Sequence, residues 1–147
     1  LHTNDAPSAI ARLVDMGAED YLLASSILGV LAQRLVRVIC PECRELQPFE
    51  PGSLGDLGSE LGNQDQGFQG KGCKDCGNTG YRGRLGIFEF MLMEDSIRRL
   101  TLTNADATQV RRTAVENGMI TLRQDGFQKI KQGITTVSEV LRVTQDL

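Results

Sequence analysis

The chain has 147 residues, of which 40% are hydrophobic, a length and composition typical of one ordinary domain or two small ones. Its formal net charge is −3, and acidic and basic residues are interleaved along it. The sequence has no basic tract and no basic-aromatic stripe, so the composition argues against binding to nucleic acid. Because the chain opens with Leu1 and polar residues precede its first apolar run, we expect a piece of a longer protein without a signal peptide.

Two helices are predicted before the first cysteine. Asn4 or Asp5 can cap the first helix, with Pro7 in its opening turn and Gly17 at its end. The second helix is predicted over residues 20–38 and is apolar on nearly every face, which indicates burial inside a larger body. Charged residues interrupt this segment well before it reaches the ~20 apolar residues of a membrane span, so no span is predicted.

The four cysteines form two CxxC pairs, with 29 residues between the pairs. In a CxxC turn both sulfurs can reach one ion, and two such turns make a closed tetrahedral shell of four thiolates. The pattern therefore predicts a structural Zn²⁺ site, because a shell with no open position performs no catalysis. The predicted ligands are Cys40, Cys43, Cys73 and Cys76.

Other interpretations of the four cysteines stay open at this point. A rubredoxin-type iron site has the same ligands, although the intervening loop is poor in the aromatic residues that would shield a redox iron. Two disulfides or a redox-active dithiol are further alternatives.

The segment between the two CxxC pairs has few residues that could form a core. Residues 50–72 contain seven glycines and only four large apolar side chains. Such a segment buries too little surface to offset the entropy of ordering it. We therefore expect the metal to organise this region. Nearby basic residues could offset the thiolate charge, and nearby glycines would allow close turns past the sulfurs. These are Arg44, Lys71, Lys74 and Arg82, and Gly77, Gly80 and Gly83.

A strand and a helical bundle are predicted after the second CxxC pair. Residues 84–93 are mostly apolar and are typical of a strand. Four helices should follow: one from Asp95 or Ser96 to Leu102, one from the Asp106–Gln109 capping box to Gly118, one from Leu122 to Gly133, and one from the Thr136–Glu139 capping box. The predicted fold is mainly α with a small zinc-bound β element, in three parts: 1–39, 40–86 and 87–147.

Three stretches of the chain together resemble the type II secretion ATPases and their type IV pilus assembly relatives. These are LHTNDA at residues 1–6, LAQRLVRVICP at residues 31–41 and GYRGRLGIFE at residues 80–89. Residues 9–13 and 16–17 add weaker matches, and the pieces occur in the family's order. The general secretory pathway E proteins are the nearest branch by this resemblance.

The resemblance implies the C-terminal third of a hexameric ATPase with a RecA-like α/β core. Residues 1–39 would end that core, 40–86 would be its tetracysteine zinc module, and 87–147 its strand and C-terminal helical bundle. It also implies ATP and Mg²⁺ in the full-length protein, a cytoplasmic location peripheral to the bacterial inner membrane, and inner-membrane platform proteins as partners. No GxxxxGK[ST] phosphate loop occurs in these residues, so the piece alone is expected to be inactive.

Individual residues receive roles from this resemblance only where they match a family motif. His2 matches the last histidine of the family's histidine box, which implies a sensor of the ATP γ-phosphate. Gln33, Arg34 and Arg37 are expected either to pair with a carboxylate of the core or of a neighbouring subunit, or to contact nucleotide.

Two other functions remain open. A type IV pilus assembly ATPase would share most of these features. A free-standing zinc-ribbon adaptor would share the cysteines but would lack a phosphate loop upstream.

Overall fold

The computed structural model describes residues 3–49, 52 and 65–145. Within them it contains six α-helices and four β-strands. The helices are α1 (Ala6–Asp15), α2 (Asp20–Ser26), α3 (Asp95–Leu102), α4 (Ala107–Glu116), α5 (Leu122–Lys131) and α6 (Val137–Thr144). The strands are β1 (Gly29–Ile39), β2 (Arg44–Pro48), β3 (Gln66–Gly70) and β4 (Tyr81–Leu92). None of these helices is long and apolar enough to cross a membrane.

The chain divides into two compact units. The first unit comprises the described residues of Leu1–Gln33 and Phe88–Leu122, and the second comprises those of Arg34–Ile87 and Arg123–Asp146. The strands form two two-stranded sheets, one of β1 with β4 and one of β2 with β3. The β structure therefore includes the predicted strand after the second CxxC pair and also β1, in a segment for which a helix was predicted.

The predicted helix over residues 20–38 is wrong. A short helix, α2, ends at Ser26, and an eleven-residue strand, β1, follows it. Burial in β1 alternates with a period of two over residues 31–38, so that Val36 is buried and Val38 partly buried while Leu35 and Arg37 are exposed. An apolar run without clear periodicity fits a helix and a strand equally, and pairing with β4 decided between them.

The first unit has an apolar core built around α1 and the end of β4. Asp5 caps α1 as predicted, because one of its carboxylate oxygens accepts a hydrogen bond from the Ser8 N–H at 2.8 Å. Gly17 ends the helix with a φ of 91°. The core residues come from α1, from β4 and the residue after it, from α3, and from α4 and the turn that follows α4. They are Ala6, Ile10, Met91, Met93, Ile97, Val110, Ala114 and Met119.

The second unit contains the cysteines, α6 and all of α5 except its first residue, Leu122, which belongs to the first unit. Strands β2 and β3 are antiparallel, with Arg44 opposite Gly70. The helix start predicted at Thr136 is confirmed, because its hydroxyl accepts a hydrogen bond from the Glu139 N–H at 3.3 Å. The start predicted at Asp106 in the first unit is confirmed in the same way by a 2.8 Å bond from Gln109. Local capping signals therefore located these helices correctly.

Candidate metal centre

Each CxxC pair lies on a single 3₁₀ turn next to a strand. Pro41–Cys43 forms the first turn, directly after β1, and Lys74–Cys76 forms the second. The antiparallel β2–β3 pairing brings the two turns side by side, since the Lys71 N–H donates to the Cys43 carbonyl at 3.0 Å. Cysteines that are 33 residues apart in the chain thus become neighbours.

The four sulfurs are spaced as a tetrahedral metal shell requires. The Cys40–Cys73 sulfur distance is 3.8 Å, the Cys43–Cys76 distance is 3.9 Å and the Cys73–Cys76 distance is 3.7 Å. All four sulfurs lie within 4.8 Å of one another. Tetrahedral Zn–S bonds of ~2.3 Å place the sulfurs about 3.8 Å apart. The residues present therefore fit a four-coordinate ion.

The same distances exclude disulfides in this structure. All four cysteines are free thiols, and their sulfurs are far beyond the ~2.05 Å of an S–S bond. Zinc and iron share the tetrahedral four-sulfur geometry, so the geometry supports a metal ion without choosing between them.

Backbone N–H groups point at two of the sulfurs. Gly72 donates to the Cys43 sulfur at 3.3 Å, and Cys73 and Gly80 both donate to the Cys76 sulfur at 3.2 Å. Such donors stabilise the thiolate over the thiol. Burial opposes ionisation of Cys76, but these two N–H groups lower the pKa of its thiol to about 6. The turn is therefore built to present a thiolate.

The pKa of Cys43 moves in the opposite direction. Burial raises it to about 12, and hydrogen bonds with the neighbouring cysteine sulfurs act in the same direction. Four clustered thiols cannot all ionise without a cation, because the negative charges of neighbouring thiolates repel one another. A bound cation would supply the missing charge and release the protons.

Gly80 links the two CxxC turns and requires the absence of a side chain. Its N–H donates to the Cys76 sulfur, while its carbonyl accepts a 2.9 Å bond from the Cys40 N–H. Its φ is 77°, and a Cβ at this position would lie 2.4 Å from the carbonyl oxygen of Gly70. The expected close turn at Gly80 is thus present, and it joins both halves of the site.

Arg44 is engaged away from the sulfurs. Its guanidinium lies over the Phe68 ring, 4.6 Å from the centroid, and donates to the Gly133 carbonyl at 3.4 Å. These contacts join the metal module to the turn between α5 and α6. That Arg44 offsets the thiolate charge remains a prediction.

Arg37 pairs with a carboxylate, as one of the two interpretations expected. Glu139 is 1% exposed and accepts bonds from the Arg37 side chain at 2.9 Å, from its backbone N–H at 2.8 Å and from Arg142 at 2.8 Å. In the predicted capping box, the Glu139 carboxylate would accept a hydrogen bond from the backbone N–H of Thr136. It instead accepts the bonds from Arg37 and Arg142. Burial opposes its ionisation, but bonds from Arg142 and Arg37 lower its pKa to about 2.

A further buried carboxylate, Glu89 in the first unit, was not predicted from the sequence. Its two oxygens accept bonds from the backbone N–H groups of Ala6 at 2.8 Å and Leu122 at 3.2 Å. The available signal was its position in β4, two residues from both Ile87 and Met91, which places a carboxylate on the buried face of an apolar strand. His2, the proposed phosphate sensor, lies outside the described residues, as do residues 53–64 of the glycine-rich segment.

Comparisons with known proteins agree with one another. A family model described as Type II/IV secretion system protein matches residues 1–142. The chain is 47% identical over 146 residues to the type II secretion system protein HxcR of Pseudomonas aeruginosa, covering 99% of this chain and 28% of that protein. It is 40% identical over 146 residues to the type II secretion system ATPase E of Vibrio cholerae, covering 99% of this chain and 29% of that protein.

A pilus relative is comparably similar. The type IV pilus assembly ATPase PilB of Thermus thermophilus is 46% identical over 150 residues, covering 98% of this chain and 16% of that protein. The chain thus spans less than a third of the length of each of these three relatives. The match nevertheless extends over nearly all of this chain, and the resemblance seen in the sequence is confirmed. This chain belongs to the type II/IV secretion system protein family.

Proposed function

We propose that this chain is the zinc-bearing C-terminal part of a cytoplasmic, hexameric ATPase that powers type II protein secretion through pseudopilus assembly. The observation that carries the proposal is the match of residues 1–142 to the family, at 40–47% identity to secretion proteins from three genera. In the complete protein, ATP and Mg²⁺ would bind upstream residues, and inner-membrane platform proteins would be the partners. The chain alone is predicted to hydrolyse no ATP.

The four cysteines would hold a structural Zn²⁺. A bound ion would supply a rigid cross-link between the two CxxC turns. Gly72, Cys73 and Gly80 direct their N–H groups at the sulfurs, which stabilises the thiolates. Gly80 also bonds to the backbone of Cys40 and so links the two CxxC turns. Metal analysis of protein purified without added metal tests this assignment. One zinc per chain is expected, whereas stoichiometric iron with visible absorbance would contradict it.

His2 would sense the γ-phosphate by hydrogen bonding to one of its oxygens. The test is His2→Ala in the full-length hexamer. We expect the ATP turnover number to fall by about tenfold while the dissociation constant for ATP changes less than about twofold. Unchanged turnover would remove this role, and absence of ATPase activity in the unmodified full-length protein would overturn the proposed function itself.

A pilus assembly ATPase is the second candidate, because the Thermus thermophilus pilus protein is 46% identical. Deletion of the gene separates the two functions. The gene for the full-length protein would be deleted in its own host, and secretion of an exported enzyme and surface piliation would both be measured. Loss of secretion with normal pili supports the proposal, whereas loss of pili with normal secretion supports the alternative.

A further inference from the structure

Glu89 connects the starts of two helices that are far apart in the sequence. Its side chain is on the buried face of β4 and the residue is 1% exposed. One carboxylate oxygen accepts a bond from the first N–H of α1, at Ala6, which is 83 residues away. The other oxygen accepts a bond from the first N–H of α5, at Leu122, which is 33 residues away.

This arrangement is a cap supplied from outside both helices. The first N–H groups of a helix have no partner within it, and its N-terminal end carries a partial positive charge. A buried carboxylate between two such ends is stabilised by both, and it holds each end in place.

A second contact fixes the same end of α1. Asp5, which is 1% exposed, caps the helix through one oxygen and forms an ion pair with Arg111 of α4 through the other. Ala6, the first residue of α1, is therefore held by Glu89 of β4, and Asp5, which caps α1, is held by Arg111 of α4. Neither contact is local in the sequence.

We propose that Glu89, together with the Asp5–Arg111 ion pair, is a positioning element for the segment that carries His2. The inference rests on the proposed role of His2 as a phosphate sensor. His2 precedes Asp5 by three residues, so the chain cannot carry it more than about 11 Å from the Asp5 Cα. Displacement of a catalytic group by about 1 Å can cost up to about 100-fold in rate, so the anchoring of α1 governs how well His2 meets the phosphate.

The test is a double-mutant cycle in the full-length hexamer. Glu89→Gln keeps the side-chain shape but places an NH₂ group against one of the two backbone N–H groups. Alone it should lower the turnover number about fivefold to twentyfold and change the dissociation constant for ATP less than about twofold. In a protein that already carries His2→Ala, Glu89→Gln should lower the turnover number by less than about twofold. The imidazole that Glu89 is proposed to position is then absent, so its misplacement can have no further effect.

Glu139→Gln is the matched control, since Glu139 is equally buried but pairs with Arg37 and Arg142, which belong with it to the second unit. Its effect on turnover, of whatever size, should be the same with and without His2. A turnover effect of Glu89→Gln that multiplies fully with that of His2→Ala, or no effect at all, would overturn the positioning role and leave the proposed function standing. His2→Ala without effect on turnover would refute the sensor role and the positioning role with it.

A second pair of variants covers the case in which Glu89→Gln does not fold. Arg111→Met removes the ion pair to Asp5 from a side chain that is 32% exposed, and the neighbouring Arg112 is exposed. Arg111→Met should lower turnover about threefold to tenfold only when His2 is present, whereas Arg112→Met should leave it unchanged. Equal effects of the two substitutions would overturn the inference.

Discussion

The ion-pair network around Glu139 makes stability depend on pH in a direction that can be stated in advance. The pKa of Glu139 is lowered from 4.5 to about 2, because the bonds from Arg142 and Arg37 outweigh the burial that raises it. A depressed carboxyl pKa stabilises the folded state at pH values above about 4.5, and this contribution is lost as the pH falls toward 2. Glu139→Gln removes the titrating group and should remove this contribution to the pH dependence with it.

The size of the effect follows from the pKa shift. The lowering of the Glu139 pKa from 4.5 to about 2 corresponds to roughly 3 kcal/mol at neutral pH, at about 1.4 kcal/mol per pKa unit. The side chains of Arg37 and Arg142 are 49% and 55% exposed, so solvent screens the interaction, and roughly 2 kcal/mol is a better expectation. More than half of this contribution should be gone at pH 3.

The assay is urea denaturation of the unmodified chain and of Glu139→Gln between pH 7 and pH 3. The quantity of interest is the difference in unfolding free energy between the two proteins, because any loss of metal at low pH affects both. We expect a difference of about 2 kcal/mol at pH 7 that shrinks below about 1 kcal/mol at pH 3. Glu116→Gln, at an exposed position, should differ little from the unmodified chain at either pH. A difference that stayed constant across this range would refute the argument.

The remaining predictions concern the metal centre. Removing the ion with a strong chelator should abolish amide protection in residues 40–49 and 65–80 and preserve it in α1 and α4, measured by hydrogen exchange; protection retained around the cysteines would contradict a metal-organised module. Cys76→Ser should reduce the metal content per chain severalfold, and unchanged stoichiometry by elemental analysis would exclude this residue as a ligand. Gly80→Ala should destabilise the protein by more than about 2 kcal/mol, because its Cβ would collide with the Gly70 carbonyl. Gly83→Ala, with a similar φ of 81° but open space around it, should cost only about 1 kcal/mol, and equal costs in thermal unfolding would refute the steric argument.

Features that depend on neighbouring residues were predictable from the sequence. The first turn of a helix is set by a side chain that bonds to a backbone N–H three residues ahead, so Asp5, Asp106 and Thr136 marked the correct starts. The CxxC spacing likewise indicates that the two sulfurs of each pair can reach one ion, which defines each half of the candidate metal site. The strand over residues 84–93 was also located, and β4 spans Tyr81–Leu92.

Features that depend on distant partners were decided by the tertiary structure. β1 became a strand because β4 lies beside it, and its own apolar residues did not distinguish the two conformations.

The pairing of Arg37 with Glu139 joins residues that are 102 positions apart, and Glu89 bridges helix starts 83 and 33 positions away. A charged residue in an apolar segment indicates that a partner is needed, but it does not indicate which residue is that partner. Sequence alone identified the family, the helix caps and the four cysteines that the structure brings together, because each has a signature in short-range spacing. Which donors meet Glu89 and Glu139 was settled only by the tertiary packing that buries these two carboxylates.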